Sequence, residues 1–369
     1  MTFPELSPAE AYTVVPPRQA RPIVLLGAGG IVRDAHLPAY HQAGLPVAAI
    51  CDREESRARS LADHYGIPDV FSSISDAVAA APDDAVYDIA LVPDQFAGAL
   101  EALPDGAAVL IQKPLGNTLD EARALVAICH RKGLVAAVNT QLRFAPQVAV
   151  ARALIASGAI GELIDLEIRV SVNTPWEMFP FVFGMERLEL TMHSVHYMDL
   201  VRSFLGNPTG VNAVTVGHPL KDLASTRSVI VLYFAGRQVR AVITTNHDHD
   251  YGSRFEESFI KWEGTKGAVR TQLGLLLDYP TGGPDSLDFF LRDERDAGWR
   301  PLPFDGSWFP DAFAGSMGAL QRFVEGSVSF LPTSVDDVVD TMAVVEAAYT
   351  SDARGGVAPH YRSTYSEGD

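Results

Sequence analysis

Pro22-Ile-Val-Leu-Leu-Gly-Ala-Gly-Gly-Ile-Val32 is an apolar run ending in a glycine-rich turn, and twenty residues beyond it stands Asp52, just past a second apolar run from Val47 to Ile50. A helical pattern opens between the two at about Arg33. Strand, tight turn, helix and a second strand with an acid at its tip form the unit that cradles a dinucleotide. In that reading the backbone of Gly27, Gly29, Gly30 and Ile31 and the helix N-terminus meet the pyrophosphate, while Asp52 accepts hydrogen bonds from the adenosine ribose. An acid there opposes a 2′-phosphate, so NAD is expected rather than NADP, with Arg53 next in line as the residue type that would accommodate the extra phosphate. Val32 stands where the third glycine of G-x-G-x-x-G belongs. That glycine serves helix–strand packing, so Gly29 and Gly30 still admit the phosphates.

The alternation of strands and helices continues past Asp52. Helical spacing in Glu54 to Tyr65, a short strand near Val70 and an alanine-rich helix from Asp76 lead to apolar runs at Tyr87 to Val92 and Ala107 to Ile111. A helix from Leu119 to Arg131, closed by Gly133, precedes a sixth run, Leu134 to Val138. Six such strands describe a doubly wound parallel sheet whose ligand lies beyond the carboxyl ends of its strands. The segments at Pro93, Gln112-Lys113-Pro114 and Asn139-Thr140-Gln141 are then expected to face the same crevice as Gly27 and Asp52. Asn139, Gln141 and Arg143 offer amides and a guanidinium for sugar hydroxyls or an anion, with a structural ion pair the equal alternative for Arg143.

After Arg143 the pattern changes to alternation, with Ile164, Leu166, Ile168, Val170 and Val172 interleaved with Asp165, Glu167, Arg169 and Ser171. This is a strand with one wet face in an open antiparallel sheet. Further strands are expected at Val211 to Val216, Ser228 to Phe234, Gln238 to Thr245, Ser258 to Trp262 and Gly267 to Gln272, with helices at Leu188 to Leu205, Asp311 to Glu325 and Val335 to Thr350. The chain therefore divides into an N-terminal arm (1–20), a dinucleotide-binding α/β domain (21–143), a second α+β domain with a large, mainly antiparallel open sheet (144–352) and a C-terminal tail (353–369).

A chain of 369 residues, 47% of them hydrophobic, has ample material for two cores. Its net charge of −17 argues against nucleic acid and anionic membranes as partners, both of which need a basic footprint. The two cysteines, Cys51 and Cys129, have no metal or disulfide spacing. No stretch approaches the roughly 18 apolar residues of a membrane span, and the proline-containing N-terminus does not read as a signal peptide, so the cytoplasm is the expected location. Asn246-His-Asp-His249 carries an H-x-H spacing, but one such pair does not make a closed metal site, and no metal is expected. The segment Asn246 to His249 is read instead as a polar substrate-side loop, with His249 its candidate substrate contact. Trp176 and Trp308-Phe309 are candidates for stacking on a sugar face, with packing the alternative.

Gly27-Ala-Gly-Gly-Ile, Asp52, Gln112-Lys-Pro114, His196-Tyr-Met-Asp199 followed by Leu205-Gly-Asn-Pro208, and Glu263-Gly-Thr-Lys-Gly267 occur in an order that resembles the glucose–fructose oxidoreductase / inositol dehydrogenase (Gfo/Idh/MocA) family over residues 21 to 352. The resemblance implies a Rossmann domain followed by an open-sheet domain, a nicotinamide cofactor, a sugar or cyclitol substrate, and pairing of copies through the sheet into a homodimer or homotetramer. It aligns His196 with the histidine of an H-x-x-D motif and Lys113 with the lysine of E-K-P, where Gln112 replaces the glutamate. Oxidising a secondary hydroxyl requires a base of near-neutral pKa within reach of its proton, and histidine fits that need. His196 is the expected base, and Lys113 the cation that orients the hydroxyl and stabilises developing alkoxide.

His193, His196 and Asp199 are spaced to share a helix face, which adds His193 and Tyr197 to the substrate side. Many family dehydrogenases carry an aspartate four residues before the histidine, whereas Met192 stands there and can neither accept a proton nor orient an imidazole strongly. Either His193 or Glu189 takes over that task, or the chemistry differs from plain oxidation. Three functions follow: an NAD-dependent oxidoreductase of a sugar or cyclitol hydroxyl; an NAD-dependent glycosidase working by transient oxidation, elimination and re-reduction; and a non-catalytic NAD-binding sensor.

Overall fold

The computed structural model describes residues 14–358. Most of the proposed N-terminal arm and of the C-terminal tail lies outside that range. Strands β1 (Ile23–Leu26), β2 (Val47–Cys51), β3 (Asp69–Phe71), β4 (Val86–Ile89), β5 (Ala108–Gln112) and β6 (Val135–Asn139) form one parallel sheet in the order β3-β2-β1-β4-β5-β6. β1, β4 and β5 are buried along their whole length, as apolar strands covered on both faces must be. The connecting helices are α1 (Leu37–Gln42), α2 (Glu55–Tyr65), α3 (Ile74–Ala79), α4 (Phe96–Ala102) and α5 (Leu119–Arg131). The Thr118 hydroxyl caps α5 by accepting from the Glu121 N–H, and Glu121 reaches back to the N–H of Asn117. The order reverses between β1 and β4, and the crevice beyond the strand ends at that point is where a doubly wound sheet binds its ligand.

Helix α6 (Pro146–Ala156) leads into an eight-stranded sheet made of β7 (Leu163–Ser171), β8 (Gly210–Val216), β9 (Arg227–Tyr233), β10 (Arg240–Asn246), β11 (Glu257–Gly264), β12 (Gly267–Gln272), β13 (Ser286–Leu291) and β14 (Arg300–Pro301). The order is β14-β13-β12-β11-β7-β10-β9-β8, antiparallel throughout except for the central β7–β10 pair. One face is covered by α7 (Val195–Leu205) and α9 (Val335–Arg354); on the other, Val214, Val216, Val229 and Tyr233 stay exposed. Gly264 closes the β11–β12 hairpin, where a Cβ would stand 2.1 Å from the Ile160 carbonyl oxygen, so the Glu263–Gly267 motif is a packing requirement. No helix among the described residues is long and apolar enough to cross a membrane.

Two features depart from the pattern of the sequence. α6, β13 and β14 are additional elements. The helices expected from Arg33 and from Leu188 each begin with a π-type turn, Val32–His36 and Leu190–Ser194, before continuing as α1 and α7. Helix α8 (Asp311–Val324) returns to the first sheet, burying Phe313, Ala314, Met317 and Leu320 with Ile23, Leu25 and Leu110. The backbone of residues 18–21 is tied to the same helix by hydrogen bonds to Glu325 and Gln321.

Arg143, just past β6, makes a two-pronged contact with Asp199 of α7, both distances 2.6 Å, and a further one to Asp337 of α9. Thr341 donates to Asp199, and Arg202 binds both Thr341 and Asp337. The Arg143 and Asp199 side chains are almost wholly excluded from solvent. Removing one member of such a pair leaves the other buried and uncompensated. Asp199→Ala is therefore expected to lower the unfolding free energy by about 3–5 kcal/mol, measured by urea denaturation followed by circular dichroism. A loss below about 1 kcal/mol, the range of exposed pairs, would show that the network does not lock the two halves.

Candidate active site

The cofactor end of the crevice is built around the β1 turn. Gly27 has φ +117°, and a Cβ there would lie 2.5 Å from the Ala90 carbonyl oxygen, so the turn closes tightly against the end of β4. At Gly29 a Cβ would meet nothing within 4 Å, and at Gly30 only a carboxylate oxygen of Asp34 at 3.9 Å. The space in front of these two residues, beside first-turn N–H groups that have no helical carbonyl to bond, suits a pyrophosphate. Asp52 accepts from the Ala28 and Glu54 N–H groups at 2.8 and 2.9 Å, which locks its carboxylate at the tip of β2. A carboxylate has about four acceptor positions, so both oxygens keep capacity for ribose hydroxyls. Arg53 beside it is exposed, Ile31 is half-buried, and Pro93 opens a short 3₁₀ turn after β4. These residues fit a dinucleotide.

Behind the turn lies a fully buried polar network. His36 Nδ1 is 2.7 Å from Asp88, which also accepts from the Tyr40 hydroxyl at 2.7 Å. On its other side His36 Nε2 is 3.1 Å from the Gln112 amide and 3.5 Å from that of Asn139. Gln112 in turn accepts from the N–H of Lys113 at 2.8 Å. The carboxylate serving His36 thus comes from β4, while position 112 supplies a neutral amide.

Lys113 follows β5 and carries its ammonium across to the second domain, donating to the Met192 carbonyl oxygen at 2.9 Å. Burial lowers its pKa to about 8. The residue at 192 meets the lysine through its main chain, so the absent aspartate is not replaced by that side chain. Next along the π-type turn is His193, which packs on His247 with ring centroids 4.3 Å apart and meets the edge of Trp176 at 5.5 Å. His196, one turn on, meets Trp308 edge-on at 5.7 Å. The Nδ1 atoms of His193 and His196 are buried without a hydrogen-bond partner among the described residues. Burial holds both imidazoles well below the ordinary histidine pKa; His247, Lys113 and His196 add to the effect at His193, and Lys113 adds to it at His196. At neutral pH the site therefore pairs one ammonium with two uncharged proton acceptors.

Other expected contacts are placed differently. His193, His196 and Asp199 meet different neighbours: the first, inside the π-type turn, packs on His247, while the second and third, in α7, meet Trp308 and Arg143. Of the two readings of Arg143 the structure shows the ion pair, its guanidinium being engaged by carboxylates, and Tyr197 packs in the core at 2% exposure, with its hydroxyl pKa raised by burial and by Glu189. Asn139 faces His36, and Gln141 is buried with its side-chain carbonyl unpartnered. Trp176 packs with its indole N–H donating to Asp248 at 3.2 Å. Of the H-x-H pair, His247 enters the site, while His249 stands edge-on to Tyr251. Among the described residues no group of three or more His, Cys, Asp or Glu side chains is arranged to hold a metal ion. His247 and Asp248 fall in the Asn246–His249 segment expected to be a polar substrate-side loop, but the sequence did not show that His247, rather than His249, is the member the β10 exit brings beside His193.

Comparison with known proteins matches residues 21–140 to the oxidoreductase family with an NAD-binding Rossmann fold and residues 148–270 to the GFO/IDH/MocA C-terminal domain. D-apiose dehydrogenase of Paraburkholderia graminis is 30% identical, covering 93% of this chain and 90% of its own. D-xylose 1-dehydrogenase (NADP(+)) 2 of Haloferax volcanii is 29% identical over 58% of this chain and 67% of its own. Among solved structures, an oxidoreductase from Agrobacterium radiobacter in complex with NAD+, L-tartaric acid and magnesium superposes with a TM-score of 0.74 at 22% identity, over 92% of this chain and 98% of that one. A putative myo-inositol dehydrogenase from Sinorhizobium meliloti gives 0.71 at 24% identity, over 91% and 98%. With the glycine turn, the β5-end lysine and both matched domains in place, the chain belongs to the Gfo/Idh/MocA family of oxidoreductases.

Proposed function

We propose that this protein is an NAD-dependent dehydrogenase acting on a secondary hydroxyl of a sugar, sugar derivative or cyclitol. The observation that carries the reading is the Lys113 ammonium, reaching from the end of β5 to the Met192 carbonyl at the turn that carries His193 and leads to His196, two imidazoles that burial and the lysine keep uncharged. A bound nicotinamide supplies the acceptor for the hydride leaving the substrate carbon. Lys113 donates to the substrate oxygen and stabilises its developing negative charge, and the His196 imidazole accepts the hydroxyl proton. Burial of both groups strengthens these interactions by excluding water. The apiose and xylose dehydrogenases among the relatives support a sugar substrate, and we extend the reading to a second copy of the chain seated on the exposed Val214–Tyr233 face of the sheet.

A panel of free sugars, cyclitols and glycosides with NAD tests the reading. Stoichiometric NADH supports it, aglycone release exceeding NAD consumed would favour the glycosidase, and tight NAD binding without turnover on any member would favour a sensor. Lys113→Met and His196→Asn are each expected to lower kcat about 10²–10⁴-fold, with the double variant little worse because the two act on one hydroxyl. Near-normal turnover in either would overturn the assignment.

Cofactor choice is measurable by calorimetry. NAD is expected to bind more tightly than NADP, and Asp52→Ala to narrow the ratio about tenfold by removing the charge that opposes a 2′-phosphate. Equal affinities in the unaltered protein would contradict this.

The pH profile follows from the site's charges. Lys113 acts as the ammonium, present below its pKa of about 8, and the histidine as the free base, present above a pKa well under 6.5. For substrate oxidation, kcat/KM is expected to be flat near neutrality and to fall as pH rises through about 8. Activity rising through that pH would instead make the Lys113 amine the base.

A further inference from the structure

Glu189 lies one turn before His193, and its carboxylate is entirely buried. One oxygen accepts from the Ser194 hydroxyl at 2.7 Å and stands 3.7 Å from His247 Nε2; the other has no partner among the described residues. An isolated buried carboxylate is costly unless a positive group or several donors compensate it. Burial pushes the Glu189 pKa up, but His247, Ser228 and Ser194 more than offset this, so the group remains ionised. His247 is equally buried, and its Nδ1 lies 3.2 Å from the Thr174 hydroxyl. The Glu189 oxygen at 3.7 Å is too far to bond His247 Nε2, which has no hydrogen-bond partner among the described residues, but it is within ion-pair distance of a charge on that ring, and the Thr174 hydroxyl can accept from Nδ1.

The other charged or titratable groups nearby are accounted for. Asp248, next to His247, is bound by Lys221, Thr226 and Trp176. Tyr197 and Tyr349 lie beside Glu189, and Arg187 sits over the Tyr349 ring. Around His193 stand Lys113, His196 and His247. Two imidazoles whose centroids are 4.3 Å apart cannot both carry charge at low cost in a buried site.

We propose that Glu189 and His247 are positioning residues that hold the one proton shared by the His193–His247 stack on His247, leaving His193 as the uncharged acceptor beside Lys113. The pair comes from two distant segments and acts through charge on the ring beside His193; it does not orient His196, the base of the proposed reaction. No bond beyond N–H is made or broken: a proton lost from one ring goes to solvent or to the other. The consequence for turnover, a neutral acceptor kept available below the ordinary histidine range, rests on the dehydrogenase reading; the placement of the proton does not.

The test is accordingly free of substrate. In ¹H–¹⁵N spectra of the ring nitrogens of the intact protein without substrate, His247 is expected to take up its proton at higher pH than His193. In Glu189→Gln and in His247→Phe, which keeps a stacked ring, the His193 midpoint is expected to rise by about one pH unit or more, a tenfold gain in proton affinity. A merely structural role would perturb the spectrum without moving that midpoint upward. Two results would each overturn the proposal: His193 protonating first in the unaltered protein, or its midpoint staying in place in a folded variant. If neither variant folds, the order of protonation in the unaltered protein decides alone. A dehydrogenase assay that fails while this order holds would count against the proposed reaction and not against the pair.

Discussion

A guanidinium buried between two carboxylates joins the halves of this molecule. Arg143 leaves the last strand of the parallel sheet and engages Asp199 on α7 and Asp337 on α9, with Arg202 and Thr341 completing the set. Desolvating these charges is costly, and only their mutual geometry compensates. The same geometry sets where α7 begins relative to β5. Since Lys113 stands at the end of β5 and His193 and His196 at the start of α7, the ion network decides whether ammonium and imidazoles meet. The aspartate of the H-x-x-D motif therefore serves the site from beneath it.

The chemistry above that network depends on where charge is withheld. Burial drives protons off His193 and His196 and brings Lys113 to about 8, so three groups that would be cationic at low pH in water present one cation and two acceptors. Both helices that approach the crevice begin with a π-type turn, a local widening that is frequent at functional sites. The turn at Leu190–Ser194 carries His193, which meets His247, and leads to His196, which meets Trp308.

Much of this was legible in the sequence, and the exceptions have physical reasons. The Gly27–Gly30 turn, Asp52 and Lys113 are local: each sits at the end of a short apolar strand, and strand ends of a parallel sheet share one edge. The six strands of the first sheet and the alternation in β7 are legible in the same way. Helix α6 was missed because Val148-Ala-Val-Ala-Arg-Ala-Leu-Ile lacks a polar stripe and alternates much as a strand does. Arg143 was left open between a substrate contact and a structural ion pair because its carboxylates lie 56 and 194 residues away, and no local pattern announces that a charge is buried. The pairing of Glu189 with His247 is hidden for the same reason, since only the second sheet brings the β10 exit beside α7.

Helix α8 has a bearing on how the chain acquires its shape. Its Phe313, Met317 and Leu320 cover a face of the parallel sheet whose last strand ends at Asn139. The ribosome must add the intervening second domain before that cover exists, on the order of ten seconds or more at typical elongation rates. Through that interval Ile23, Leu25 and Leu110 lack their final apolar partners, so the core of the first domain is completed only when α8 arrives. Expression of residues 21–143 by themselves would recreate that unfinished intermediate permanently, whereas the complete polypeptide passes through it once.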